Sequence, residues 1–169
     1  MLKKKIKAMI ANFTRQCVRF CVYRGCLKQD DVVFELSHYE KVSSDIGELT
    51  FFCPGEIPIW RAKTFFEKEP ETLKWINSFS KDDTFLDVGA NVGLYCAYAS
   101  RKGHRVWAVE PLVENYFILQ RNIYLNKLKN IKAFCACFYN ENKIDTLKIR
   151  NMGFGQASNS FHEKKKIIS

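Results

Sequence analysis

Leu2, Ile6, Ile10, Phe13, Cys17 and Phe20 recur at spacings of three and four, a period that gathers apolar side chains on one helix face. Lys3, Lys4, Lys7, Arg15 and Arg19 fall on its other faces. The pattern stops at Gln29-Asp30-Asp31. Residues 32–53 then alternate between short apolar runs and polar breaks at Ser43-Ser44-Asp45 and Gly47, which predicts short strands ending in Leu49-Thr50-Phe51-Phe52-Cys53. Pro54-Gly55 and Pro58 mark turns beyond the last of these strands. A helix is expected from Glu67 to Phe79, with Pro70 near its first turn and Leu73, Ile76 and Phe79 facing inward.

From residue 84 the pattern changes to strict alternation. A strand (84–88) leads to a helix (92–101), a strand (105–109) and a longer helix (113–126). The apolar run from Ile131 to Tyr139 predicts a third strand, and Asp145-Thr146-Leu147-Lys148-Ile149 a fourth. Apolar strands separated by helices imply a parallel sheet with helices on both faces, an α/β, Rossmann-like architecture. The expected organisation is a basic amphipathic helix over 1–28, an extension of short strands and a helix over 29–83, and the α/β part over 84–169.

The chain has 169 residues, enough for one sizeable core, and a net charge of +9. Lys3-Lys4-Lys5 and Lys164-Lys165-Lys166 carry much of that excess at the two ends. Charge runs in those places are expected to be solvated tails, or to attract acidic lipid or another polyanion. The basic helix packs on the domain or a partner, or lies on an anionic membrane surface; its sequence fits both. Seven cysteines form no Cys-x-x-Cys pair and only three histidines are present, so no metal is expected. Reduced thiols in the cytoplasm are the expected state. No stretch approaches the ~20 apolar residues of a membrane span, and Ala8-Met9-Ile10-Ala11 is too short for a secretory signal.

The chemistry concentrates at Asp87-Val88-Gly89-Ala90-Asn91-Val92-Gly93. Here a buried strand is expected to end in an acid and a glycine-rich turn to open a helix. In open parallel sheets ligands sit past the carboxyl ends of the strands. Gly89 and Gly93 permit close backbone approach, and Asp87 can bind the ligand or orient the loop. Glu110 ends the next strand, where its two oxygens suit a pair of ribose hydroxyls. The dinucleotide fingerprint G-x-G-x-x-G does not fit, because Asn91 stands at the second glycine and Gly93 comes one position early. The preceding Asp favours a nucleoside with a charged amino-acid tail, S-adenosylmethionine, over NAD.

Three blocks carry a resemblance. They are Ile59-Trp60-Arg61 through Leu73-Lys74-Trp75-Ile76; Glu110-Pro111 with Asn115, Leu119, Asn122 and Leu125-Asn126; and Gly155-Gln156-Ala157-Ser158-Asn159-Ser160. With the glycine turn, they make residues 57–162 similar to the FkbM family of S-adenosylmethionine-dependent methyltransferases. The resemblance implies a class I methyltransferase fold and methyl transfer to a hydroxyl of a sugar, polysaccharide or small molecule. By matching position it implies that Asp87, Gly89, Asn91, Gly93, Glu110 and Asn115 bind the cofactor.

The family's later strand with an acidic D-x-E-G segment is absent, so the chain is expected to be C-terminally truncated, with an incomplete sheet. Weak or absent turnover is expected, as is a partner chain completing the sheet or a remnant that binds S-adenosylmethionine without catalysis. No catalytic base is identified: His162 is expected to be exposed, and His38 and His104 to lie in irregular segments. Nucleic acid is not an expected partner, since no Asn-Pro-Pro-aromatic segment occurs and no basic patch is interleaved with aromatics.

Overall fold

The computed structural model describes residues 2–26, 28–80, 82–141, 146–157 and 160–161. The chain divides into two compact units, residues 1–37 and 38–169.

The first unit holds α1 (Leu2–Tyr23) and α2 (Gln29–Glu35). Val32-Val33-Phe34, expected as strand, is helical. Its backbone is carried by bonds from Val32 N–H to the Lys28 carbonyl and from Leu36 N–H to the Val32 carbonyl, both 3.3 Å. Three apolar residues in a row fit either period, and packing decides: Val18 and Val22 of α1 share one groove with Val32 and Val33.

The second unit opens with the antiparallel hairpin β1 (His38–Ser44) and β2 (Gly47–Cys53). Gly47, at φ +96°, closes its turn opposite Ser44. The next helical stretch is broken into α3 (Glu56–Lys63), α4 (Phe65–Lys68) and α5 (Pro70–Asn77). The single helix expected from Glu67 is therefore interrupted at Glu69, at φ −139° and ψ 62°. Proline excludes the helical region for the residue before it. Leu73 and Ile76 are buried as expected.

Then come β3 (Thr84–Val88), α6 (Leu94–Arg101), β4 (Arg105–Val109), α7 (Val113–Leu125) and β5 (Ile131–Phe134). The three strands form a parallel sheet in the order β3-β4-β5, with Val88 beside Val109 and Val109 beside Phe134. Parallel neighbours joined through helices give the Rossmann-like α/β arrangement that the alternation predicts. The third strand is shorter than expected, since β4 runs into Pro111 and offers no further ladder partner. Cys135 and Cys137, which alternate in that apolar run as buried strand residues would, lie beyond the end of β5 and are exposed. The expected fourth strand survives only as β6 (Leu147–Lys148), paired antiparallel with β7 (Ser160–Phe161) outside the parallel sheet.

One sheet face carries Phe85, Asp87, Val106 and Ala108. Trp75 of α5 and Phe79 stack on Phe85, and α6 lies over the same face. The second layer of helices expected from the alternation is not seen on the other face among the described residues. There Leu86 (46%), Val88 (55%), Trp107 (46%) and Phe134 (43%) stay exposed. α7 is tied to the hairpin by side-chain amides. Asn122 Oδ1 accepts from Phe52 N–H (2.8 Å) while its Nδ2 donates to the Val92 carbonyl (2.8 Å). Asn126 accepts from Thr50 N–H (2.8 Å) and donates back to the Thr50 carbonyl (2.7 Å). Those amides take the place of a neighbouring strand along the outer edge of β2.

Candidate functional site

The turn after β3 is built from its own backbone. Gly89 and Ala90 N–H both donate to the Val109 carbonyl, at 2.8 and 3.0 Å, which fixes the turn to the end of β4. Asn91 adopts φ +51°, a left-handed conformation that asparagine tolerates better than most residues. That is why an asparagine can stand where a dinucleotide turn has glycine.

Glu110 bonds this turn with one carboxylate oxygen and the segment after β4 with the other. Oε2 accepts from Asn91 N–H (2.8 Å) and Oε1 from Leu112 N–H (2.9 Å). The residue is 5% exposed. A carboxylate has about four acceptor sites, so two stay available after those bonds.

Asp87 lies on the same side of the sheet as α6, and the Cys96 thiol donates to its Oδ2 (3.0 Å). Burial holds the Asp87 carboxyl above its usual range; the Cys96 bond pulls the other way, and the Glu110 charge adds to the rise.

The two glycines do different work. A Cβ on Gly93 would strike Leu119 Cδ1 at 2.3 Å, so Gly93 exists to let α7 pack against the turn. A Cβ on Gly89 would meet nothing within 4 Å. Gly89 borders open space.

Two cavities share Gly89, Asn91 and Ala157. The larger, about 480 Å³, is lined by Asp87 and by Arg61, Glu69, Trp75 and Tyr95. The smaller, about 170 Å³, is bounded by Glu110, Pro111, Leu112 and Gln156. Asp87, Gly89, Asn91 and Glu110 are therefore brought together around one site.

Asn115 and Gly93 line neither cavity. Asn115 is 1% exposed and grips the segment above the site: its Nδ2 donates to the Gln156 carbonyl (2.9 Å) and its Oδ1 accepts from Gly155 N–H (2.8 Å). Asn91 Nδ2 also donates to the Gln156 carbonyl (2.9 Å), and Arg61 Nε donates to that of Gly155 (3.1 Å). Gly155 sits at φ +73° with Ile57 and Pro58 closing on it. Ser158, Asn159, Asp145 and His162 lie outside the described residues. His38 bonds Glu40 (2.7 Å) on the hairpin, and His104 is buried against Phe79; neither lines either of these two cavities.

Residues 47–168 match the family model described as Vibrio cholerae RfbT protein, well over half of the chain. The chain belongs to this RfbT family. The matching description is RfbT and not FkbM. No curated protein matches the sequence. Among solved structures, this RfbT-family chain is similar to a SAM-dependent methyltransferase from Agrobacterium tumefaciens, at 15% identity and a TM-score of 0.43, over 59% of this chain and 33% of that one. It is similar to TYW2 of M. jannaschii, solved in complex with AdoMet, at 21% identity and a TM-score of 0.44, over 59% and 43% of the two chains. Trm5 of Methanocaldococcus jannaschii, solved in complex with adenosine, gives 19%, 0.41, 60% and 30%. The RfbT-family chain spans less than half the length of these proteins.

Arg61, Glu69 and Tyr95 carry no site role in the sequence reading, yet they line the larger cavity of this RfbT-family chain. The Tyr95 hydroxyl donates to Glu69 Oε2 (2.9 Å), and that bond holds the Glu69 carboxyl below its usual range. Burial pushes the Tyr95 hydroxyl well up. The available signal was their place in the stretch from Ile59 to Ile76, ahead of the glycine turn, for Arg61 and Glu69.

Proposed function

We propose that this chain binds S-adenosylmethionine and is a methyltransferase of the FkbM type, acting on a hydroxyl of a sugar, polysaccharide or small molecule. The observation that carries the reading is the pair Asp87 and Glu110 at the ends of adjacent parallel strands, with Gly89 open between them. The residues fit such a ligand. Glu110 keeps two acceptor sites for ribose hydroxyls, Leu112 and Pro111 offer an apolar wall for a base, and Asp87 suits a cationic tail. A dinucleotide fits less well, because its pyrophosphate would lie between two carboxylates. Arg61 is the one cation lining the larger cavity, and it already bonds Gly155.

When bound, S-adenosylmethionine supplies an activated methyl group to a nucleophile. The chain's own contribution is positioning: the turn fixes the ribose side, and the segment held by Asn91 and Asn115 closes over it. The seven cysteines are all unpaired, which supports a reducing, cytoplasmic setting. No helix among the described residues is long and apolar enough to cross a membrane.

Calorimetry with S-adenosylmethionine, its 2′-deoxy and 3′-deoxy analogues, and NAD tests the reading. A deoxy analogue that loses the Glu110 contact should bind about 5- to 150-fold more weakly, the equivalent of a lost buried hydrogen bond at about 1–3 kcal/mol. Undiminished binding of both analogues, or equal binding of NAD, refutes it. The ligand is altered here because Glu110→Ala would also strip two backbone N–H groups of their acceptor. A second reading, cofactor binding without turnover, is favoured by the open face at Trp107 and Phe134, which are exposed and line neither cavity. Tight binding without methyl transfer to a panel of sugar hydroxyls supports that second reading.

A further inference from the structure

α1 presents an apolar row that nothing in its own unit covers. Ile6 (43%), Met9 (68%), Ile10 (57%), Phe13 (69%) and Phe20 (60%) are exposed along one side of a 22-residue helix. Val18 and Val22, on another side, are the residues turned toward α2. Helical geometry places Lys4, Lys7, Arg15 and Arg19 away from the exposed row.

Charge selects what can cover the row. Lys3, Lys4, Lys5, Lys7, Arg15, Arg19, Arg24 and Lys28 precede Asp30, the first acidic residue of the chain. Of 27 Lys and Arg and 18 Asp and Glu, the remainder keeps 19 and 18, so nearly all of the +9 belongs to this segment. A segment with no acid repels a second copy of itself. An oily row flanked by cations matches a surface that is apolar beneath and anionic above, the interface of a bilayer containing acidic lipid. The same cations keep the helix from crossing it.

We propose that α1 is an interfacial anchor that lies flat on anionic membrane, with Ile6, Met9, Ile10, Phe13 and Phe20 inserted between headgroups. The 169-residue chain sediments with vesicles of phosphatidylcholine containing roughly one-third phosphatidylglycerol and not with phosphatidylcholine alone, and salt releases it. Replacing Lys4 and Lys7 by Gln lowers the partition coefficient about fivefold for each lysine, equivalent to ~1 kcal/mol apiece. The pair Ile10→Asp and Phe13→Asp lowers it at least tenfold, while the melting of residues 38–169, followed by Trp75 and Trp107 fluorescence, stays unchanged.

Equal binding to both vesicle types overturns the proposal, as does binding indifferent to the two aspartates. So does an RNA oligonucleotide bound as tightly by the Ile10→Asp, Phe13→Asp variant as by the parent, which would assign the charge to a polyanion. Concentration-dependent dimers that those aspartates abolish would make the row a protein interface, and also overturn it.

Discussion

At the scale of single residues, the glycines at 89 and 93 give opposite expectations. Gly93→Ala forces a methyl into Leu119 on top of the strain at φ +84°, and should destabilise the second unit by about 2–4 kcal/mol. In a Leu119→Ala background the same glycine substitution should cost less, because the methyl then has room, although Leu119→Ala is itself destabilising. Gly89→Ala meets open space and should cost only about 1–2 kcal/mol from its φ of +81°, yet abolish nucleoside binding. Thermal melts paired with calorimetry check both. Asp87 gives a pH signature. Its carboxyl is raised in the folded state, so the folded chain binds that proton more tightly than the unfolded chain. The stability tied to Asp87 is complete below the unfolded value, about 3.9, and is lost as pH climbs through the folded value. Asp87→Asn should therefore melt higher than the parent at neutral pH, with the gap closing toward pH ~4, while binding S-adenosylmethionine more weakly. A variant that melts lower at neutral pH refutes this assignment. Sequence alone marked Asp87, Gly89 and Glu110 as candidates, because a strand-tip acid and a glycine turn are local patterns; Asn91 entered through the resemblance. The sequence could not separate Gly93 from Gly89, since the difference lies in Leu119, a residue far along the chain.

At the scale of elements, the strands β3 and β4 and the helix α7 were legible because each has one strong period. Where the period was ambiguous, the environment decided. Val32-Val33-Phe34 became helix beside α1, and Cys135 to Tyr139 lost its ladder where β4 met Pro111. The asparagines of α7 are the least legible feature: a residue usually found in turns here completes a strand edge. Asn122→Ala would leave Phe52 N–H and the Val92 carbonyl without their partner. It should cost about 1–3 kcal/mol for each group if both stay buried. Hydrogen exchange at the Phe52 amide checks it, and an unchanged exchange rate would count against the role of this bond.

At the scale of the whole molecule, the open face of the sheet sets the behaviour in solution. Leu86, Val88, Trp107 and Phe134 form one contiguous apolar surface, with Trp107 and Phe134 rings 6.0 Å apart. Surfaces of this kind associate unless something covers them. The 169-residue chain should bind a hydrophobic dye strongly, and Trp107→Lys should reduce both the dye signal and any concentration-dependent assembly. A dye signal at background in the parent would mean that the face is closed in solution. The bonds from Glu110 to Asn91 and Leu112 carry a different lesson. The side chain that would greet the ribose is also a brace of the fold, so a descendant that had lost its chemistry would still be obliged to keep it. Finding this glutamate in a sequence therefore testifies first to architecture, and only its pairing with an intact Asp87 and Gly89 speaks for a working site.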